Sequence, residues 1–161
     1  MKRTLIAAAL AVALAPVASA QQSRPTGQPG AVTGQTEQLQ SEVLISTLPA
    51  ADLTKQITAA TGTIEHKSEV ARGGPVAAVV RTTGCMKDTA GACKVNADLV
   101  IYKPDGSVFH EVKSLDLPAG RGAVPLTIDA NTATGVYKVV VTIRDLTARR
   151  FATVERQFGV K

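Results

Sequence analysis

A chain of 161 residues, 45% hydrophobic and 19% charged with no Trp, holds enough apolar material for one modest core and is too short for two large domains. Its 18 Lys and Arg against 13 Asp and Glu give a formal charge of +5, a mild excess that does not by itself point to nucleic acid. After the first twenty residues no apolar run reaches the roughly 18 positions that a membrane-spanning helix needs, so no span is expected in the mature chain.

The N-terminus reads as an export signal. Lys2 and Arg3 supply a positive start, residues 5–15 form a nearly unbroken Ala, Leu, Val and Ile run, and Ala18-Ser19-Ala20 offers the small side chains that signal peptidase requires. Cleavage is predicted between Ala20 and Gln21, giving a periplasmic or secreted protein; because Gln21 and not Cys follows the cut, no lipid anchor is expected. Loss of Lys2 and Arg3 leaves 16 basic residues against 13 acidic, a charge of +3.

Residues 21–40 contain six Gln, three Gly and two Pro with few large apolar side chains, a composition that cannot offset the entropy of ordering, and they are read as a flexible arm. From 41 to 61 apolar residues recur at helical spacing, Val43, Leu44 and Leu48, then Leu53, Ile57 and Ala60. Pro49 is placed to open a second helix and Gly62 to close it, so this stretch is predicted to be a short helical pair.

Beyond Gly62 the period changes from 3.6 to 2 and β-branched residues dominate. Seven strands are predicted, over 63–71, 76–83, 95–103, 107–115, 124–129, 136–146 and 150–160. The clearest alternation puts Tyr137, Val139, Val141 and Ile143 on one face and Lys138, Thr142 and Arg144 on the other. In the last strand Arg156 falls among the inward set, which calls for a bulge or a snorkelling stem. Lys103-Pro104-Asp105-Gly106 is a hairpin signal, with Pro suited to the second turn position and Gly to a positive φ. Short strands at this spacing, without crossover helices between them, predict an antiparallel β-sandwich over 62–161.

Cys85 and Cys93 are the only cysteines, and the export signal places them where thiols oxidise, so a disulfide is expected between the second and third predicted strands. A ring this small stabilises by about 2–3 kcal/mol on loop entropy. The spacing is not that of a redox C-x-x-C pair. His66 and His110 are not at paired spacing, and Asp88, Asp98 and Asp105 offer too few oxygens for Ca²⁺, so neither a metal nor another cofactor is expected. No framed nucleophile of the Ser-His-Asp kind is present. Arg144, Arg149 and Arg150 bracket the turn at 145–148 and form the one local charge concentration, either an anion-binding tip or a solvated turn with Asp145 pairing one guanidinium.

The residues Gly84-Cys85, Gly91-x-Cys93, Pro104-Asp105-Gly106, Gly135-x-Tyr137, Asp145 and Phe158-x-Val160 together resemble small exported bacterial proteins of unassigned activity. They also resemble immunoglobulin-like and macroglobulin-like sandwich modules, over roughly Gly62 to Lys161. The resemblance implies about seven strands and a structural corner at Tyr137, whose hydroxyl would bond backbone. It departs from antibody domains in two respects: the cysteines are too close in sequence for the inter-sheet bridge, and there is no Trp to pack on one.

These features lead to the expectation of a non-catalytic interaction or structural module that binds an envelope protein or an anionic cell-surface polymer and no nucleic acid. Two alternatives stand beside it. One is a small hydrolase without a local motif, using carboxylates, His66 or His110. The other is an inhibitor that presents the Cys85–Cys93 loop, the small ring lowering the ordering cost of binding.

Overall fold

The computed structural model describes residues 38–59 and 63–161. The elements in chain order are β1 (Gln40–Ser46), α1 (Ala50–Thr58), β2 (Glu69–Val70), β3 (Val76–Thr83), β4 (Val95–Tyr102), β5 (Val108–Asp116), β6 (Arg121–Leu126), β7 (Gly135–Asp145) and β8 (Arg150–Val160). They form two sheets, β1-β3-β6 and β2-β8-β7-β4-β5. Every pairing is antiparallel except the short one of β2 with β8, which is parallel. In immunoglobulin lettering the sheets read A-B-E and A′-G-F-C-C′, so the fold is an immunoglobulin-like β-sandwich.

The core is the alternation made solid. Val95, Ala97, Leu99 and Ile101 of β4 and Tyr137, Val139, Val141 and Ile143 of β7 are buried, facing Val43, Ile45, Val76, Ala78 and Val80 of the other sheet. Tyr137 stacks on Phe158 at 5.5 Å and meets the edge of Phe109 at 5.2 Å. With so few aromatics in the chain, this cluster concentrates most of the large-ring packing at one end of the sandwich. Gly135, at φ +132°, sits where a Cβ would lie 2.7 Å from Pro104, so this close approach of β7 to the β4–β5 turn requires glycine. The turn itself is closed by Gly106 N–H donating to the Lys103 carbonyl at 3.0 Å, with the Asp105 carboxylate accepting from the Ser107 amide at 2.9 Å.

The strands β3 and β8 fall on the predicted ranges, and β4, β5 and β7 begin and end within a residue of theirs. The helical pair expected over 41–61 is corrected: only Ala50–Thr58 is helical, and Gln40–Ser46 is a strand paired with β3. The physical reason is two-sided burial. Val43 and Ile45 point into the main core while Leu44 points outward, into a second small core with Leu53 of α1, Ile64, Ala77 and Val79. A strand buried on both faces shows a continuous apolar run, and periodicity alone does not separate that from a helix. The helix is too short to stand alone and is held by this contact.

Three smaller corrections follow from where the backbone bonds go. Of the strand predicted over 63–71 only Glu69–Val70 pairs as a strand. Upstream of it the chain crosses between sheet edges: the Lys67 amide donates to the Ile45 carbonyl at 2.8 Å, and Gly159 N–H donates to the Ser68 carbonyl at 2.8 Å. The strand predicted over 124–129 is shifted, because Arg121–Leu126 pairs with β3 after the tight turn at Pro118–Gly120. Addition of β1 makes eight strands among the described residues, where seven were predicted. At the end of the predicted arm, Leu39 packs on the core and Gln40 begins β1. The signal at 1–20 and the rest of the arm to residue 37 lie outside the described residues.

Arg156 needs no bulge. The register of β7 with β8 runs without interruption, and the Arg156 Nε donates to the Val43 carbonyl at 3.2 Å, so the inward stem ends on a backbone acceptor of the facing sheet.

Candidate functional site

The end of the sandwich where β7 turns into β8 is organised by a buried charge. Alternation along β7 carries one step past Ile143 to Asp145, which therefore faces inward; its side chain is 0% exposed. Register pairs it with Arg150, the first residue of β8. Asp145 Oδ2 accepts from the Met86 amide at 2.8 Å and from Arg150 Nη2 and Nε at 3.2 and 3.3 Å, and Oδ1 accepts from the amides of Thr147 and Ala148 at 3.1 and 3.0 Å. Burial pushes this carboxyl up, but the bonds from Ala148, Met86, Arg150 and Thr147 outweigh it and hold the pKa below its ordinary 3.8.

The same node reaches the disulfide. Arg150 Nη2 also donates to the carbonyl of Gly84, and the Leu146 amide donates to the Lys94 carbonyl at 2.9 Å. Gly84 and Lys94 flank the Cys85–Cys93 disulfide, whose Cα atoms are 5.9 Å apart. Inside the ring Asp88 accepts from the amides of Ala90 and Ala92, both at 2.9 Å, and pairs with the Lys94 ammonium at 3.0 Å. These donors lower the Asp88 pKa, the Ala92 amide foremost. One carboxylate thus ties the β7–β8 turn to a loop that is closed both covalently and by its own turn.

What this frame holds outward is apolar and cationic. Met86, Leu146 and Phe151 are 47, 51 and 75% exposed. Phe151 stands on the outer face of β8, in register with Arg144 of β7. Arg144, Asp145, Leu146, Arg149, Arg150 and Phe151 line a hollow of about 260 Å³.

The three arginines of the predicted anion-binding tip have three different surroundings. Arg150 is turned inward onto Asp145 and Gly84. Arg144 pairs with Asp98 at 2.5 Å and keeps a side chain 42% exposed. Asp98 in turn accepts from the Ser114 amide at 2.9 Å, at the bulge where β5 shifts register, and Arg144 followed by this amide holds its pKa at about 2. Arg149 is exposed, has no carboxylate partner among the described residues, and sits at φ +52°.

The remaining sequence-level candidates lie elsewhere. At the opposite end Tyr137 donates its hydroxyl to the Ala133 carbonyl at 2.9 Å, and burial, then Asp105, raises its pKa. Close by, a cleft of about 560 Å³ is lined by Lys103, His110, Asp129 and Thr132 among others. Asp129 is engaged there by the Asn131 amide and the Thr132 hydroxyl, at 2.9 and 3.1 Å. His66 is structural in its contacts: its Nδ1 accepts from the Ile45 amide at 3.2 Å, and its pKa is lowered by burial and then by Arg156. Among the described residues no three His, Cys, Asp or Glu side chains are gathered as metal ligands, and no helix is long and apolar enough to cross a membrane.

Sequence reasoning paired Asp145 with one arginine, as found with Arg150, but took the turn as solvated and passed over Phe151; parity identifies both features. Asp145 shares the odd-numbered inward set of β7. Phe151 shares the odd-numbered outward set of β8, a large ring on a wet face.

No protein-family model matches the chain, and no curated protein matches it. Solved structures similar to it include an immunoglobulin-like protein from Pseudomonas aeruginosa, 15% identical over 80% of this chain and 100% of that one, with a TM-score of 0.43. A superoxide reductase from Ignicoccus hospitalis is 12% identical over 62% of this chain and 79% of that one, TM-score 0.41. A Niemann-Pick type C2 protein from the Japanese carpenter ant is 12% identical over 74% and 89%, TM-score 0.41. The fold assignment rests on the strand order and register described above.

Proposed function

We propose that the chain is an exported, non-catalytic binding module that engages an envelope protein or an anionic envelope polymer through the disulfide end of its sandwich. The observation that carries this reading is the Asp145 node, which spends a buried charge on fixing two loops while Met86, Leu146, Arg149 and Phe151 face solvent above it. Exposed aromatic, Met and Arg side chains on a rigid frame are the composition of interface centres. The signal-like N-terminus and the Cys85–Cys93 bond both fit an oxidising compartment.

The test is cross-linking in cells, with photoreactive benzoylphenylalanine in place of Phe151 and, separately, in place of Val136, which is 57% exposed at the opposite end of β7. A dominant envelope adduct from position 151 and none from 136 is the expected result. No adduct from either position, or equal labelling from both, overturns it.

One observation favours a second reading, a small hydrolase: His110 lines the 560 Å³ cleft beside Lys103 and Asp129. That reading requires turnover of p-nitrophenyl esters or glycosides that His110→Ala removes.

A further inference from the structure

We infer that the hollow between Leu146 and Phe151 is a docking pocket for an acidic segment of a partner protein, with one Asp or Glu carboxylate seated against Arg149 and Arg144 and a neighbouring apolar side chain laid on Phe151. This rests on the reading of the chain as a binding module and adds the chemistry of what it binds.

Charge complementarity is the first ground. The disulfide end carries Lys87, Lys94, Arg144, Arg149 and Arg150 against Asp88, Asp98 and Asp145. Each of the three carboxylates is paired, with Lys94, Arg144 and Arg150 in turn. Two positive charges are left over, and Arg149, which lines the hollow, is one of them. A guanidinium presents a planar fork that grips a carboxylate through two parallel bonds, and Arg144, only partly turned to Asp98, offers a second donor set beside it.

The turn that carries Arg149 is strained. Arg149 holds a left-handed φ of +52°, a conformation that glycine adopts without cost and a side-chain-bearing residue does not. Ser114 and Ala119 hold the same conformation at a bulge and a turn, so this φ belongs to the β7–β8 turn, which carries the exposed Arg149 side chain at the edge of the hollow.

The apolar contacts decide which class of anion fits. Phe151 is 75% exposed, while Tyr137 and Phe158 are buried and the half-buried Phe109 packs against Tyr137. A sugar polymer rich in carboxylate would satisfy the arginines and lay at most one ring face on Phe151, leaving Leu146 uncovered. A bilayer would take Met86 and Leu146, which project from loops, but not Phe151, which lies on the sheet face and walls a concavity. A peptide segment supplies both a carboxylate and an apolar neighbour. The hydrogen-bonded frame beneath means little ordering is required on binding.

The test uses the full exported chain after signal removal and a random dodecapeptide display library as probe. Selected peptides should be enriched in Asp or Glu adjacent to large apolar residues. A synthetic copy of the commonest one should shift the backbone amides of residues 144–151, and its affinity should fall about tenfold or more with Arg149→Glu and with Phe151→Ser. Both residues are exposed, and unchanged urea midpoints for the two variants would show that the fold is kept. Changing the peptide's carboxylates to ammonium groups should restore binding to the Arg149→Glu variant.

Three results overturn the pocket: peptides with no acidic enrichment, amide shifts confined to another surface, or binding to phosphatidylglycerol vesicles with none to acidic peptides. Selected peptides that map to another surface would sink this pocket while the module reading stands, since cross-linking from position 151 decides that reading separately.

Discussion

Asp145 shows how a single side chain can set the geometry of a surface it never reaches. Fully enclosed and bonded on both oxygens, it depends on its partners as the exposed Lys55–Asp52 and Lys113–Glu111 pairs do not, since solvent screens most of the attraction in those. Replacing one member of a buried, hydrogen-bonded pair strands the other, so Asp145→Asn should cost about 3 kcal/mol in urea unfolding at neutral pH. The sign of the pH dependence follows from its depressed pKa. Its contribution is complete above the unfolded-state value of 3.8 and is lost as pH falls through the lower folded value. The wild-type protein should therefore weaken on acidification from about pH 4 downward, and the Asn variant should weaken less. Some acid slope will persist in the variant, because Asp98, with a pKa of about 2, titrates in the same window. Arg149 gives the opposite outcome. Arg149→Gly removes the left-handed strain and should raise stability by about 1 kcal/mol while weakening partner binding, a pairing that a purely structural arginine would not show.

At the scale of elements, alternation made the one-sided strands legible, while β3, buried on both faces, was legible from its β-branched run between Gly73-Gly74-Pro75 and Gly84. Strands β7 and β8, with one face to the core and one to water, announce themselves by alternation, and β3 and β8 coincide with their predicted spans. The strand β1 did not, because Val43, Leu44 and Ile45 are buried on both faces and leave no polar beat to count. The site was half legible. The arginines stood out as a charge cluster, but their division into inward and outward members depends on register, which a hydrophobic count does not supply. The 63–71 stretch was misread for a related reason, since its bonds go to two different sheet edges. His66 is the clasp there, accepting from the Ile45 amide of β1 with a pKa held low by burial and by Arg156. A folded pKa below the unfolded 6.5 means that the unfolded chain takes up the proton first, so stability is full above that value and declines as pH drops from it toward the folded value. His66→Gln should flatten the dependence of the urea midpoint on pH in the mildly acidic range. An unchanged slope would show that the His66 bond to β1 contributes nothing to holding the edge.

Across the whole molecule the two ends of the sandwich are built by different physics. One end is packed: Phe109, Tyr137 and Phe158 interlock beneath the Tyr137–Ala133 bond. The other, among the described residues, buries no aromatic ring beside Ile143 and Leu117, and covalent and ionic ties are added there, the Cys85–Cys93 bridge and the Asp145 node. A small ring lowers the entropy of the unfolded chain by the equivalent of about 2–3 kcal/mol, so Cys85→Ser with Cys93→Ser, or reduction of the wild-type protein, should lower unfolding stability by that amount. The loss should be local before it is global. Amide exchange should accelerate first at Met86 and Leu146, whose bonds to Asp145 and Lys94 depend on the loop staying in place, while the amides around Tyr137 keep their protection until global unfolding. Binding should suffer beyond the stability cost, because a loosened loop no longer positions Met86 beside the hollow. If oxidised and reduced proteins instead share one urea midpoint and one exchange pattern, then the Asp145 bonds and the turn around Asp88 hold this end unaided. The disulfide would in that case serve durability and not the shape of this end of the sandwich.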